Sequence, residues 1–373
     1  VCGLPIVFCL SSIVRGHVPG MAIDTTEVPT HPGFPALQHG KVDDVMILRC
    51  IDELQIWDPE RFEVVATLQS CPRNAGHVRL VQERSTGRRL AVKRMPLSWT
   101  CKDADTFRFT YPTETEVPWM DMAATRWLNA VGFKHCVDFA GVFRDEDYIA
   151  FVMGLAEGGD LFSFVDAMGL PAPGPVLEEA LQPIAVEFLF AVARLHRLGL
   201  AHRDLSLENV LLASKKGGPL YLIDYSMATT QRFHTGPACG KASYIAPEMH
   251  LGNGYDAFQA DAFSCGVILY ALFAKDYPWI STRAGACKCF EYVRNHGFLK
   301  FMSKRRIIVG NEKKPVQQVM STAFIHLLDG LLRFNPEDRL VLLEDQPGRG
   351  GGSIWALPWL KQAVEKSPDL DLG

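Results

Sequence analysis

The sequence has no Cys-x-x-Cys pair, no large excess of charge of either sign, and no uncharged apolar run long enough to cross a bilayer. Each absence excludes something. Without Cys-x-x-Cys the usual paired ligands of a structural zinc are missing, and Cys287 and Cys289 stand only one residue apart. The ten cysteines are scattered, which reads as reduced thiols in a cytoplasmic or nuclear protein. A formal net charge of −4 over 373 residues lacks the footprint of a nucleic-acid binder. Val1–Val14 is apolar but is broken by Gly3 and Pro5 and is too short to span a membrane, so no clear membrane anchor is expected. It reads as an unstructured leader, the tail of a cleaved signal being the alternative.

What is there falls into two halves. Val18–Gly40 carries prolines and little periodicity, and residues 1–61 are assigned to a poorly ordered leader and linker. From Phe62 strand-like runs follow: Arg61–Leu68, Val78–Glu83, Arg89–Arg94, Val137–Phe143 and Tyr148–Met153. Ser85-Thr86-Gly87 makes one turn and Asp145-Glu146-Asp147 another. Pro118–Val131 has helical spacing, with proline at a favourable first-turn position. After Gly159 the chain reads as mainly helical, with candidates at Leu181–Leu198, Ala262–Phe273 and Ala323–Phe334. The expectation is an α+β, bilobal fold: a small five-stranded antiparallel lobe with one main helix (62–153) on a larger helical lobe (154–362), with a tail at 363–373. The active-site cleft lies between the lobes.

The strongest chemical signal is His202-Arg203-Asp204-Leu205-Ser206-Leu207-Glu208-Asn209, followed by the apolar Val210-Leu211-Leu212. A carboxylate that takes a proton from a hydroxyl, and an amide oxygen five residues on that holds a metal ion, suit a loop facing one phosphate. Here the chain resembles the eukaryotic protein kinases, over about Phe62 to Leu360. The resemblance extends to Leu222-Ile223-Asp224-Tyr225-Ser226 (with Tyr-Ser where the family has Phe-Gly), Ala246-Pro247-Glu248, Asp261–Gly266 and Asn335–Arg339.

That resemblance implies roles. Asp204 is the catalytic base, and Asn209 and Asp224 hold Mg2+. Lys93, in Ala91-Val92-Lys93, binds the α- and β-phosphates of ATP. The nucleotide pocket is assigned to Val78, Ala91, Met153, Leu155, Ala156, Leu211 and Asp160, Asp160 having a helix N-cap as its other reading. Glu248 pairs with Arg339, and Asp261 holds the catalytic-loop backbone. Arg203 meets a phosphorylated or acidic activation segment, with Thr229, Thr230, Thr235 and Ser243 as sites for an upstream kinase and Thr235 the best placed.

Four departures from the family pattern stand out. The phosphate loop falls on Cys71, Arg73 and Gly76, so only the last glycine remains, and Pro72 has no N–H to offer. The acid that should pair with Lys93 is left among Glu116, Glu114 and Asp121, Glu116 being favoured. Ser206 stands where Ser/Thr members carry lysine. Lys241 stands where they carry threonine. The last two suggest an exchange in which Lys241 reaches the γ-phosphate from the opposite side. The function implied is a Ser/Thr protein kinase of the calcium/calmodulin-kinase-like or cyclic-nucleotide-kinase-like kind, acting on protein substrates. The alternative is a pseudokinase that serves as a nucleotide-binding or allosteric scaffold. Glu208 and Asp160 would favour a basic residue in the substrate.

Overall fold

The structure, a computed structural model, describes residues 40–71, 74–166, 170–215, 217–343 and 352–365. The N-terminal lobe is built on an antiparallel sheet whose strands are β2 (Phe62–Cys71), β3 (Gly76–Glu83), β4 (Arg89–Pro96), β5 (Phe139–Arg144) and β6 (Tyr148–Gly154). A sixth strand, β1 (Gln55–Ile56), pairs parallel with β5, giving the order β1-β5-β6-β4-β3-β2. The five antiparallel strands are those the sequence pattern gives; β1 is an addition. In β4 the period-two alternation buries Leu90 and Val92 on one face. Those side chains close a small cluster with Phe62, Val81, Phe143, Ala150 and Val152. The opposite face carries Ala91 and Lys93, which register against Met153 and Phe151 of β6.

The main helix of this lobe is α4 (Pro118–Ala130), which begins on proline as expected and buries Pro118–Thr125. Two short helices, α2 (Leu97–Thr100) and α3 (Ala104–Thr110), occupy the stretch between β4 and α4. A further helix, α1 (Gly40–Asp52), corrects the expectation of a poorly ordered leader through residue 61. Its Met46, Ile47 and Cys50 are buried in the same core as Met120, Ala123 and Ala124 of α4. Its apolar side chains find a partner only in α4, far along the chain.

The larger lobe follows β6. A three-stranded sheet, β7 (Gly159–Asp160), β8 (Val210–Ser214) and β9 (Gly217–Leu222), flanks the helices α5 (Leu161–Asp166), α6 (Pro175–Arg197) and α7 (Ala257–Ala274). By length and composition α7 could cross a membrane, but it is the buried core helix of this lobe. Its N-cap is Asp256, whose side chain accepts the Phe258 and Gln259 N–H groups.

Candidate active site

The catalytic octet lies between α6 and β8. Its backbone is held by Asp261 of α7, fully buried, which accepts the N–H groups of His202 and Arg203 at 2.8 Å each and the ring of His196 at 2.9 Å. These donors keep the Asp261 carboxyl below its ordinary range against the opposing effect of burial. The anchor is needed because Arg203 sits at φ +67°, a left-handed conformation that a side chain disfavours. The structural role expected for Asp261 is thus visible as geometry. So is the Glu248–Arg339 pair, a buried bidentate contact at 2.5 and 2.9 Å in which Arg339 also donates to the Gln259 carbonyl.

Asp204 and Asn209 meet as the spacing requires. Asn209 Nδ2 donates to the Asp204 carbonyl at 2.7 Å and to Asp204 Oδ2 at 3.0 Å. Asp204 Oδ1 is buried and has no protein partner. Burial, and then the nearby Asp224 carboxylate, push the Asp204 pKa up to about 7, with Lys241 and Asn209 working against the rise. Gly240 lies against this group at φ +94°. A Cβ there would stand 3.0 Å from the Arg203 carbonyl and 3.3 Å from Asp204 Oδ1.

Across the cleft Lys93 Nζ is 2.7 Å from Asp121 Oδ2 and 3.4 Å from Asp224 Oδ1. Burial opposes the Lys93 charge, but Asp121 and Asp224 outweigh it and hold the ammonium above the ordinary lysine range. Asp121, in the first turn of α4, is therefore the ion-pair partner, and the preference for Glu116 is corrected. Glu116 acts on Lys93 only as a weaker electrostatic neighbour. The second Asp121 oxygen accepts the Tyr225 N–H at 2.9 Å, so one carboxylate joins Lys93 to the Asp224-Tyr225-Ser226 segment. Burial nonetheless raises the Asp121 pKa. In that segment Asp224 is at φ +64°, and the Tyr225 ring is buried 5.1 Å from that of His202, its hydroxyl donating to the Leu222 carbonyl at 3.1 Å.

Three of the nucleotide-pocket candidates, Val78, Ala91 and Met153, share by register the sheet face that carries Lys93. Val78 faces Lys93 across β3–β4, Ala91 faces Met153 across β4–β6, and Leu211 lies on β8 opposite Asp160. Leu155 and Ala156 follow in the connection between the lobes, both half-buried. That connection passes so close to β8 that a Cβ on Gly158 would meet Leu212 Cβ at 2.6 Å. Asp160 caps α5, accepting Ser163 N–H at 2.7 Å and Ser163 Oγ–H at 3.0 Å.

The phosphate-loop hairpin turns between Cys71 and Gly76, which are paired residues. Asn74 Oδ1 accepts the Gly76 N–H at 2.9 Å, and Ala75 stands at φ +53°. Burial pushes the half-buried Cys71 thiol up in pKa, with Lys93 partly offsetting it. Arg73, the candidate for phosphate contact, lies outside the described residues, as does Pro72.

The two exchanged residues do meet. Lys241 Nζ donates to Ser206 Oγ at 2.9 Å and also lies 3.0 Å from Glu208 Oε2. Arg203 Nε donates to the Tyr255 hydroxyl and its Nη1 to the Met227 carbonyl, both at 2.9 Å. Of the four candidate phosphorylation sites, Thr229 is buried on Asp43 and Ser243 donates to the Ile280 carbonyl, Thr230 is half-buried, and Thr235 is exposed.

Asn209 and Asp224 carry the kind of oxygen donor that a hard divalent cation uses. Asn209 commits its nitrogen to Asp204, leaving Oδ1 as an acceptor, and Asp224 brings a carboxylate whose pKa, despite burial, is lowered by Lys93. Mg2+ binds through one or two such groups together with substrate phosphates. The residues fit that ion.

Residues 74–345 match the protein kinase domain family. Curated proteins similar to the chain include CBL-interacting protein kinase 22 of Oryza sativa subsp. japonica, 30% identical over 251 residues, covering 65% of this chain and 48% of that protein. Calcium-dependent protein kinase 1 of the same organism is 29% identical over 297 residues, covering 79% and 49%. CBL-interacting serine/threonine-protein kinase 18 of Arabidopsis thaliana is 32% identical over 229 residues, covering 60% and 39%. The chain thus spans less than half the length of these relatives.

Proposed function

We propose that this chain, which belongs to the protein kinase family, transfers the γ-phosphate of Mg·ATP to serine or threonine hydroxyls of proteins. One observation carries the reading: Asp204 Oδ1 has no protein partner and lies near the Asp224 carboxylate, itself 3.4 Å from the Lys93 Nζ that Asp121 holds. The substrate hydroxyl gives its proton to Asp204 Oδ1 as its oxygen bonds to the γ-phosphorus. The bond from that phosphorus to the β-phosphate oxygen breaks, and ADP leaves. Lys93 orients the α- and β-phosphates, and Asn209 fixes the Asp204 carboxylate. Mg2+, held by Asn209 and Asp224, would supply neutralisation of the phosphate charge.

Lys241 completes the site in the place of the lysine that Ser206 replaces. Its contact with Ser206 sets its ammonium beside the catalytic loop, and it opposes the rise in the Asp204 pKa. Two unit charges about 4 Å apart attract by roughly 4 kcal/mol at an effective dielectric near 20. Lys241→Met should therefore lower kcat by about 10²–10³. A Ser206→Lys, Lys241→Thr double variant should recover more activity than the product of the two single effects. Equal activity in Lys241→Met and the parent would remove Lys241 from the mechanism.

The names of the relatives support protein substrates and the Ser/Thr branch. Thr235 is the hydroxyl offered to an upstream kinase, being the exposed one. The free thiols of the eight described cysteines support a cytoplasmic or nuclear setting. Asp160 and Glu208, both engaged internally, give a basic substrate residue less to bind than the sequence suggests.

A further inference from the structure

Helix α1 lies outside the family-matched residues 74–345, yet it touches both elements on which the site depends. On one side Met46, Ile47 and Cys50 pack against α4. Glu53, just beyond α1, makes a bidentate ion pair with Arg126 of α4, and Asp44 takes Arg108 of α3 at 3.0 Å. On the other side Asp43 accepts the Thr230 N–H at 3.1 Å and the Thr229 hydroxyl at 3.2 Å. Thr229 is itself paired by two backbone bonds, 2.9 and 3.0 Å, with Ala201, the residue before His202. A cavity of about 190 Å³, lined by Asp43, Ile47, Val117, Met120, Arg203 and Thr229, separates these contacts.

We infer that α1 is a positioning element for phosphotransfer, with Asp43 its positioning residue: it fixes α4 and the start of the activation segment relative to each other. The inference rests on the kinase reading above. The route is short. Met120 and Asp121 are neighbours on α4. Asp121 holds Lys93 with one oxygen and the Tyr225 N–H with the other, while the Val117 N–H donates to the Ser226 carbonyl at 2.8 Å. Rotation or retreat of α4 would break these three contacts together. Asp43 closes the loop from the far end of the same segment. A change of about 1 Å in such an arrangement is enough to cost catalysis without touching substrate affinity.

The test uses the full chain. Asp43→Ala should lower kcat about tenfold, leave the KM for ATP and peptide within about twofold, and speed hydrogen exchange at the Tyr225 amide. Glu53→Arg should act in the same direction, and adding Arg126→Glu should restore kcat by re-forming the pair with its signs reversed. Ile47→Asp should do the same as Asp43→Ala more strongly, but it risks the fold, so the first two variants decide. Parental kcat and parental Tyr225 exchange in both Asp43→Ala and Glu53→Arg would overturn the inference. If the parent transfers no phosphate, the kinase reading fails first. The Tyr225 exchange then still reports on α1: faster exchange in Asp43→Ala upholds the positioning role, and unchanged exchange rejects it.

Discussion

In the proposed reaction Asp204 is the base, and its environment gives it a measurable signature. Burial and Asp224 hold its pKa near 7, about three units above an ordinary aspartate. The base must be ionised to accept the proton, so kcat/KM should fall about tenfold for each pH unit below 7 and level off above it. Lys241 opposes the rise, so Lys241→Met should move the midpoint upward; a pH–rate profile of both proteins measures this. Asp121 carries the second prediction at this scale. Asp121→Asn should lower kcat/KM by about 10², and Glu116→Gln should leave it within about fivefold. A reversed order of the two effects would return the Lys93 pair to Glu116.

At the scale of elements, the local backbone decides what side chains are tolerated. Gly240 is at φ +94° beside Asp204, so Gly240→Ala should cost ~1–2 kcal/mol of stability and displace the base. Thermal melting and turnover should both fall. Arg339→Met leaves Glu248 charged and buried without its partner, and should destabilise the larger lobe by about 3–5 kcal/mol in denaturant unfolding.

The same scale shows what could be read from the sequence. The octet, Asp224-Tyr225-Ser226 and Ala246-Pro247-Glu248 were legible because each is a short segment with its function written in consecutive residues. Asp121 was not. The helices α2 and α3 fill the stretch after β4, so counting from Lys93 points to Glu116, whereas only the helix register of α4 brings a carboxylate back to Nζ. Helix α1 is not legible for a related reason. Its buried Met46, Ile47 and Cys50 have meaning only against the face of α4, some seventy residues further along the chain. For Asp160 the helix-cap role is legible in the sequence, and the Ser163 contacts show it.

Over the whole molecule, the two lobes bring together groups that a non-catalytic scaffold has no need to keep. Lys93 and Asp121 come from the small lobe, and Asp204, Asn209, Asp224 and Lys241 come from the large one. The weak phosphate loop and Ser206 are the features that a nucleotide-binding scaffold would share. Under the proposed reading Asp121 and Lys241 answer two of the departures that favour a scaffold, Asp121 by pairing with Lys93 and Lys241 by lying on Ser206. The most direct measurement is transfer of labelled γ-phosphate from Mg·ATP to a mixed protein substrate, with Asp204→Asn as control. The account predicts transfer by the parent protein to serine or threonine and its loss in Asp204→Asn. Folded parent protein, phosphorylated at Thr235 and binding ATP, that transfers no more phosphate than the control would contradict it.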